Sequence, residues 1–517
     1  MRRHQFRLSA LAKVLPASLI TEVLAEPGME GKRRRKLPPE LVTWLVIGMG
    51  LYRWLKIESV LARVADSVGG VFWGPAELPH CTSITQARDR LGWRVVRTLF
   101  QRLVARLRAD TAAATSWRGH EVYTLDGTCF LVPDTPENER VFTRPSVTRG
   151  GTSGFPQLRA LLLVGAWTHL VVDVVLGPYA VNEMRFVEHL LERLRPGTVL
   201  LLDRAYYGFR WPAEFLTRGV HFVVRMKQGG KAYRVKRGRR LGNGDWLCEM
   251  RRPKHCANPK LPDVLQARLI KCTRRGFRPI YVLTSLVSRT AYPAREVAAL
   301  YRDRWEAELS YRELKVHLAT DKVAFRSKKP ERVLQEVYGL LIAYNCVRAL
   351  MCDAASEAGV RPTQISFVDT LERLRCAMAV YAGGQGDPDD LVAAVALCQL
   401  PPRRRGRRCE RAVKLKYSSY PRKRKDRPAA ASPYVNRTGT SPPPLPRGVR
   451  SRSGRTEPQG NNQVGEVRWT DAVTALQERV SVHFLDQHPA VPDPRLRHSP
   501  LVTPRIPDLE QGNRWLL

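Results

Sequence analysis

Through the first hundred or so positions apolar residues recur at three- and four-residue steps, the period of helices buried on one face. The run LVTWLVIGMGLYRWL (41–55), introduced by Pro38 and Pro39, predicts a buried helix. TQARDRLGWRVVRTLFQRLVARL (85–107) predicts a second, capped by Ser83 or Thr85, with arginines on its other faces. From 121 the period changes. EVYTLDGTCFLV reads as two strands around a Gly turn, and QLRALLLVGAW with THLVVDVVLG as a hairpin. A helix over 183–194 follows, then TVLLLD (198–203) as a strand ending in a carboxylate, RWPAEFLTRG as a helix and VHFVVRMK as a strand. Antiparallel strands followed by strands alternating with helices predict a mixed α/β sheet. Between 228 and 285 short strand-like runs separated by Gly, Asn and Pro predict an all-β insertion, and helices resume after Pro293 to about 400.

Charge narrows the function. The 517 residues carry 86 Lys plus Arg against 48 Asp plus Glu, a net charge of +38. Such an excess repels itself, and a polyanion that releases counterions offsets it, which favours nucleic acid over a membrane surface as partner. Residues 403–427 alone hold thirteen Lys or Arg and two acids, a basic arm. Beyond 428, Pro, Gly and Ser enrichment predicts disorder. The ten cysteines show no CxxC pair and read as reduced thiols of a cytosolic protein. The N-terminus lacks a signal-peptide run, and 41–55 is too short to span a bilayer.

One stretch poses the chemical question: YRDRWEAELSYRELK (301–315), on a helix expected from Pro293 to about Leu318. At about 100° per residue, with Tyr301 at zero, Arg304, Glu308 and Lys315 fall within an arc of roughly 60°. Glu306 and Glu313 point elsewhere and are expected to be solvated. Surface ion pairs explain such a stripe equally well. Two further carboxylates shift the balance: Asp126 in the first strand of the α/β region, and Asp203 at the end of TVLLLD. An aspartate at the end of an apolar strand is costly to bury unless it is paired or binds metal. With Glu308 they form an oxygen set suited to Mg²⁺ or Mn²⁺, and two such ions serve in-line phosphoryl transfer. Asp173 is a rival that reads as structural. Asp134 reads as a turn residue. Arg204, Arg225 and Lys227 stand at strand ends, and Tyr281 and Trp246 read as packing in the insertion.

YRDRWEAELSYRELK carries the Y-x2-R-x3-E-x6-K signature of DDE transposases of the bacterial insertion-sequence type 4 family. TLDGTCF and LLLDRAYYG resemble the segments bearing that family's two aspartates, and RRRKLPPELVTWLVIGMGLYR and TQARDRLG its N-terminal domain. LPPRRRGRRCERAVKLKYSSYPRKRK resembles its basic end, so the resemblance covers roughly residues 8 to 427; Ala307 departs from the more usual Ile or Val. The resemblance implies a ribonuclease H-like catalytic core with an all-β insertion and a helical N-terminal DNA-binding domain. The expected division is 1–112 (N-terminal domain), 113–227 and 286–400 (core), 228–285 (insertion), 401–428 (basic arm) and 429–517 (tail). It further implies Asp126, Asp203 and Glu308 as catalytic metal ligands for two Mg²⁺ ions, with Mn²⁺ as substitute. Tyr301, Arg304 and Lys315 would contact DNA phosphates at the transposon end. The expected partners are double-stranded DNA and a second copy in a synaptic homodimer, in the bacterial cytoplasm at the nucleoid. A metal-dependent nuclease on the same fold and a non-catalytic DNA-binding derivative are the alternatives.

Overall fold

The computed structural model describes residues 9–401 apart from 28–36, 69–77, 147–152, 228–234, 274–278, 320–323 and 381–386 and the single positions 255 and 257. The basic arm from 402 onward and the tail lie outside the described residues. All described residues belong to one compact unit.

Helices α1 (Ala17–Leu24), α2 (Pro39–Leu51), α3 (Ile57–Ser67), α4 (Cys81–Asp110) and α5 (Ala112–Thr115) open the chain. Pro39 occupies the first turn of α2, where its missing N–H costs nothing. Every residue from Leu41 to Leu51 is buried, as the apolar run predicted. Burial on all sides needs a cover, and the far C-terminal helix α11 (Pro330–Glu357) supplies it. A Cβ on Gly50 would lie 2.9 Å from the Leu340 Cα, and one on Gly339 2.6 Å from the Val46 carbonyl oxygen. The two helices thus touch backbone to backbone.

Helix α4 is not the smooth rod its periodicity predicts, and its cap is His80 rather than Ser83 or Thr85. It bends at Gly92 (φ 71°, ψ 165°), a backbone setting that favours glycine. The bend frees carbonyls, and the Gln335 amide of α11 donates to those of Arg88 and Gly92, both at 3.0 Å.

The sheet comprises β1 (Ser116–Trp117), β2 (His120–Leu131), β3 (Gln157–Gly165), β4 (Val171–Pro178), β5 (Val199–Leu202), β6 (His221–Arg225), β7 (Lys236–Gly242), β8 (Asp245–Arg251), β9 (Val264–Cys272) and β10 (Ile280–Thr284). Between β2 and β3 lies the helix α6 (Pro136–Phe142), between β4 and β5 α7 (Glu183–Leu191), and between β5 and β6 α8 (Arg210–Leu216). The order is β4-β3-β2-β5-β6-β10-β9-β8-β7, with β1 paired to β2. β2, β3 and β4 run antiparallel, while β2, β5 and β6 run parallel. This is the mixed sheet the sequence predicts. The strands of 236–284 do not form a separate sheet: β10 pairs with β6 and carries the main sheet outward. They are pinned by Arg268, fully buried, which holds Asp245 through two 2.8 Å bonds and donates to the Tyr292 carbonyl at 2.5 Å.

After β10 come α9 (Ala294–Arg302), α10 (Trp305–Arg312), a π-helical segment (Glu313–Leu318), α11, α12 (Phe367–Val380) and α13 (Pro388–Ala396). Among the described residues α11 alone is long and apolar enough to cross a membrane, yet 89% of its most apolar stretch is buried within the fold. That is the character of a core helix.

Candidate active site

The strand register brings the two aspartates together. In the parallel pair Thr124 of β2 stands level with Leu201 of β5. Two residues further along the chain are Asp126, still inside β2, and Asp203, one residue past the end of β5, on strands about 4.8 Å apart. This is the carboxyl end of the parallel strands, beside the strand where the sheet changes from antiparallel to parallel pairing, the place where open α/β sheets bind ligands. β2 itself is one continuous strand and not two around a turn; Gly127 pairs with Leu161 inside the ladder. The Asp126 Oδ1 accepts from the Gly127 N–H (2.9 Å), and the Asp203 Oδ1 from the Ala205 N–H (2.6 Å), which fixes both carboxylates at the backbone.

Glu308 comes from α10. Three residues on, the Tyr311 hydroxyl donates to the Asp126 carbonyl at 2.7 Å, tying that face of the helix to β2. The single helix predicted from Pro293 to Leu318 is instead broken: α9 ends at Arg302, a tight turn carries Asp303 and Arg304, and the last six residues widen into the π segment. Even so, Arg304 lies 3.8 Å from the half-exposed Glu308 carboxylate. Lys315 lies beside Cys129, Phe130 and Leu131 of β2.

The other two glutamates of the stretch are not solvated. Glu313 accepts from Tyr344 (2.9 Å) and Arg348 (3.4 Å) of α11, and His169 bridges it at 3.2 Å to Glu306 at 3.3 Å. His169 sits in the turn between β3 and β4 at φ 57°, and Trp167 of the same turn donates to Asp303 (2.9 Å) at the helix break. Burial works against the charge on Glu313, but Arg348 and His169 outweigh it and hold its carboxyl at about 2. Burial likewise opposes the charge on His169, and Glu313 and Glu306 raise its proton affinity above the ordinary imidazole value despite Arg348. A group raised on folding adds stability that is complete below the unfolded value of about 6.5 and is lost as pH rises through the folded one. The melting temperature is therefore expected to fall above about pH 6.5, and His169→Gln to flatten that fall in pH-resolved thermal denaturation.

Asp126 shows what the cluster does to itself. Burial pushes its carboxyl up to about 7, and Glu183, Asp203 and Glu308 add to the rise against the Gly127 hydrogen bond. Glu183, at the start of α7, is the carboxylate that pattern reading missed; after the capping Asn182 it looks like any acidic residue opening a helix. Among the described residues no Lys or Arg forms an ion pair with Asp126, Asp203 or Glu183, although the chain carries a large cationic excess. Unpaired, mutually repelling carboxylates at a strand end fit a hard divalent cation. No three His, Cys, Asp or Glu side chains among the described residues stand at the spacing of a closed coordination shell, so the fit rests on donor chemistry and not on a preformed cage.

The remaining candidates separate. Tyr301 is 6% exposed and packs with Val199, Leu201 and Val223. Its hydroxyl is pushed up to about 12 by burial, with Arg304, Arg225 and Asp203 near it. Asp173 lies on the edge strand β4 and pairs with Arg193 at 2.8 Å, a structural role as expected. Asp134 pairs with Arg144. Arg204, Arg225 and Lys227 are exposed, while Trp246 and Tyr281 pack partly buried against the core.

Residues 117–346 match the transposase DDE domain profile, and 5–101 match the insertion element 4 transposase N-terminal profile. The transposase InsG for insertion sequence element IS4 of Escherichia coli K12 is 31% identical over 426 residues, 80% of this chain and 93% of that protein. The chain belongs to the IS4 family of DDE transposases. It is accordingly an enzyme acting on DNA, of a class that depends on divalent metal. A solved piggyBac transposase synaptic complex with hairpin DNA covers 78% of this chain and 87% of its own at 8% identity and a TM-score of 0.38, a likeness too loose to bear on the fold.

Proposed function

We propose that the chain binds the terminal inverted repeats of its own element, cuts there and joins the ends to target DNA, with Asp126, Asp203 and Glu308 as the catalytic carboxylates. What supports this is that the paired register of β2 and β5 ends two residues short of both aspartates, that Asp203 and Glu308 act electrostatically on Asp126, and that α10 is tied to β2 through Tyr311. The three carboxylates would hold two divalent cations, Mg²⁺ or in its place Mn²⁺, which would supply Lewis acidity for phosphoryl transfer. Arg304 and Lys315 bind phosphates of the transposon end, and Tyr301 offers them only its hydroxyl, since its ring is core. Attack of water on a phosphodiester frees a 3′-hydroxyl, which then attacks the target strand.

Three antiparallel strands continued by two parallel ones, with helical crossovers, support a ribonuclease H-like core over 113–227 and 286–400. The helices before 112 would serve end recognition, with 228–285 as the insertion and 401–428 as a basic arm on DNA. Holding two ends implies a homodimer on DNA, working at the bacterial nucleoid. The test is a Mg²⁺-dependent assay on duplexes made from the inverted repeats flanking the coding region. Joined products are expected; cleavage without joining would identify a nuclease instead.

A further inference from the structure

Glu183 is placed with unusual closeness for a residue at the start of a helix. Its Oε2 lies against the backbone of β2 one residue past Asp126: a Cβ on Gly127 would stand 2.1 Å from that oxygen and 2.4 Å from its carboxyl carbon. Its Oε1 accepts from the Tyr206 hydroxyl at 3.0 Å, and Tyr206 is a buried residue of the short turn that begins at Asp203. Glu183 is thereby fixed to both aspartate-bearing segments at once. A helix-opening glutamate satisfied by the helix dipole has no need of either contact, since water serves it as well. Among the described residues the cation that acts on it is Arg159, whose guanidinium donates to the Tyr179 carbonyl at 3.0 Å and lies over the Tyr179 ring. The carboxylate therefore acts on Asp126 and is acted on by Asp203, and among the described residues no Lys or Arg forms an ion pair with it.

We infer that Glu183 is a fourth acidic residue of the cation site, sharing with Asp126 the ion on the β2 side, and that Gly127 is glycine so that the Glu183 carboxylate can lie there. The inference rests on the proposed assignment of Asp126, Asp203 and Glu308 to the metal. Asp126 would supply an oxygen from within β2, Asp203 from just past the end of β5, Glu308 from α10 and Glu183 from α7. The tyrosine hydroxyl on its other oxygen orients it and leaves lone pairs for the ion.

The experiment is Mn²⁺ titration of the full chain without DNA, followed by calorimetry and by the rise in melting temperature, for the parent, Glu183→Gln, Gly127→Ala and Asp203→Asn. Gly127→Ala keeps Glu183 in the sequence and displaces the flexible end of its side chain, so it separates position from presence. Glu183→Gln and Gly127→Ala are each expected to weaken Mn²⁺ binding about tenfold or more, with melting temperatures in EDTA no lower than the parent's by more than a few degrees. Parent-like Mn²⁺ affinity in Glu183→Gln, with Asp203→Asn impaired, overturns the role of Glu183 and leaves the three-carboxylate site standing. Parent-like affinity in Asp203→Asn, or no Mn²⁺ binding by the parent, overturns both.

Discussion

Glu308→Ala is expected to lose strand cleavage and joining about a thousandfold or more, because a metal-bound carboxylate supplies several kcal/mol of transition-state stabilisation and each 1.36 kcal/mol is tenfold in rate. The same variant is expected to melt with the parent. Glu308 is half exposed, and its ion-pair contact with Arg304 is a loose 3.8 Å. A Mg²⁺ assay on end duplexes and a thermal melt on one preparation test both halves, and cleavage at the parental rate would remove Glu308 from the chemistry.

Glu313→Ala, five residues along the same stretch, is expected to do the reverse. Its carboxylate accepts from Tyr344 and Arg348 and faces His169, so truncation takes the counter-charge from buried Arg348 and leaves His169 with Glu306 alone. Breaking such a set costs about 3–5 kcal/mol, read as a lowered denaturant midpoint with an unchanged slope. Activity per folded molecule should fall far less than in Glu308→Ala. A stability within about 0.5 kcal/mol of the parent would mean that the buried set does not anchor the helix.

These two glutamates show where sequence reading succeeds and where it stops. An apolar strand ending in aspartate is a local anomaly, visible in TVLLLD without any structure, and the strand it ends pairs in parallel with the one that carries Asp126. The helical face that grouped Arg304 with Glu308 also survived, because those two lie within one turn. The wheel failed beyond that turn. What breaks the helix at Asp303 and draws Glu306 and Glu313 inward is a β-turn more than 130 residues earlier, with Trp167 and His169 as its contacts. Gly127 misled for a similar reason. A glycine between apolar runs suggests a turn, but here it makes room for a side chain from α7. Gly92 read as an ordinary helix interior, although its bend is matched by Gln335, which lies some 240 residues further on. Period and composition report what a segment does alone; they are silent on partners distant along the chain.

The backbone contact between α2 and α11 carries an evolutionary consequence. No methyl group fits at Gly50 or Gly339 without shifting a main chain, so an early helix and one almost 300 residues further along must change in concert. A recombination event that exchanged only the leading segment for a relative's would strip α11 of its tailored flank and leave an oily stripe in water. The leading helices and α11 should therefore be passed on as a linked pair, and an engineered graft of the leading segment has to carry α11 with it.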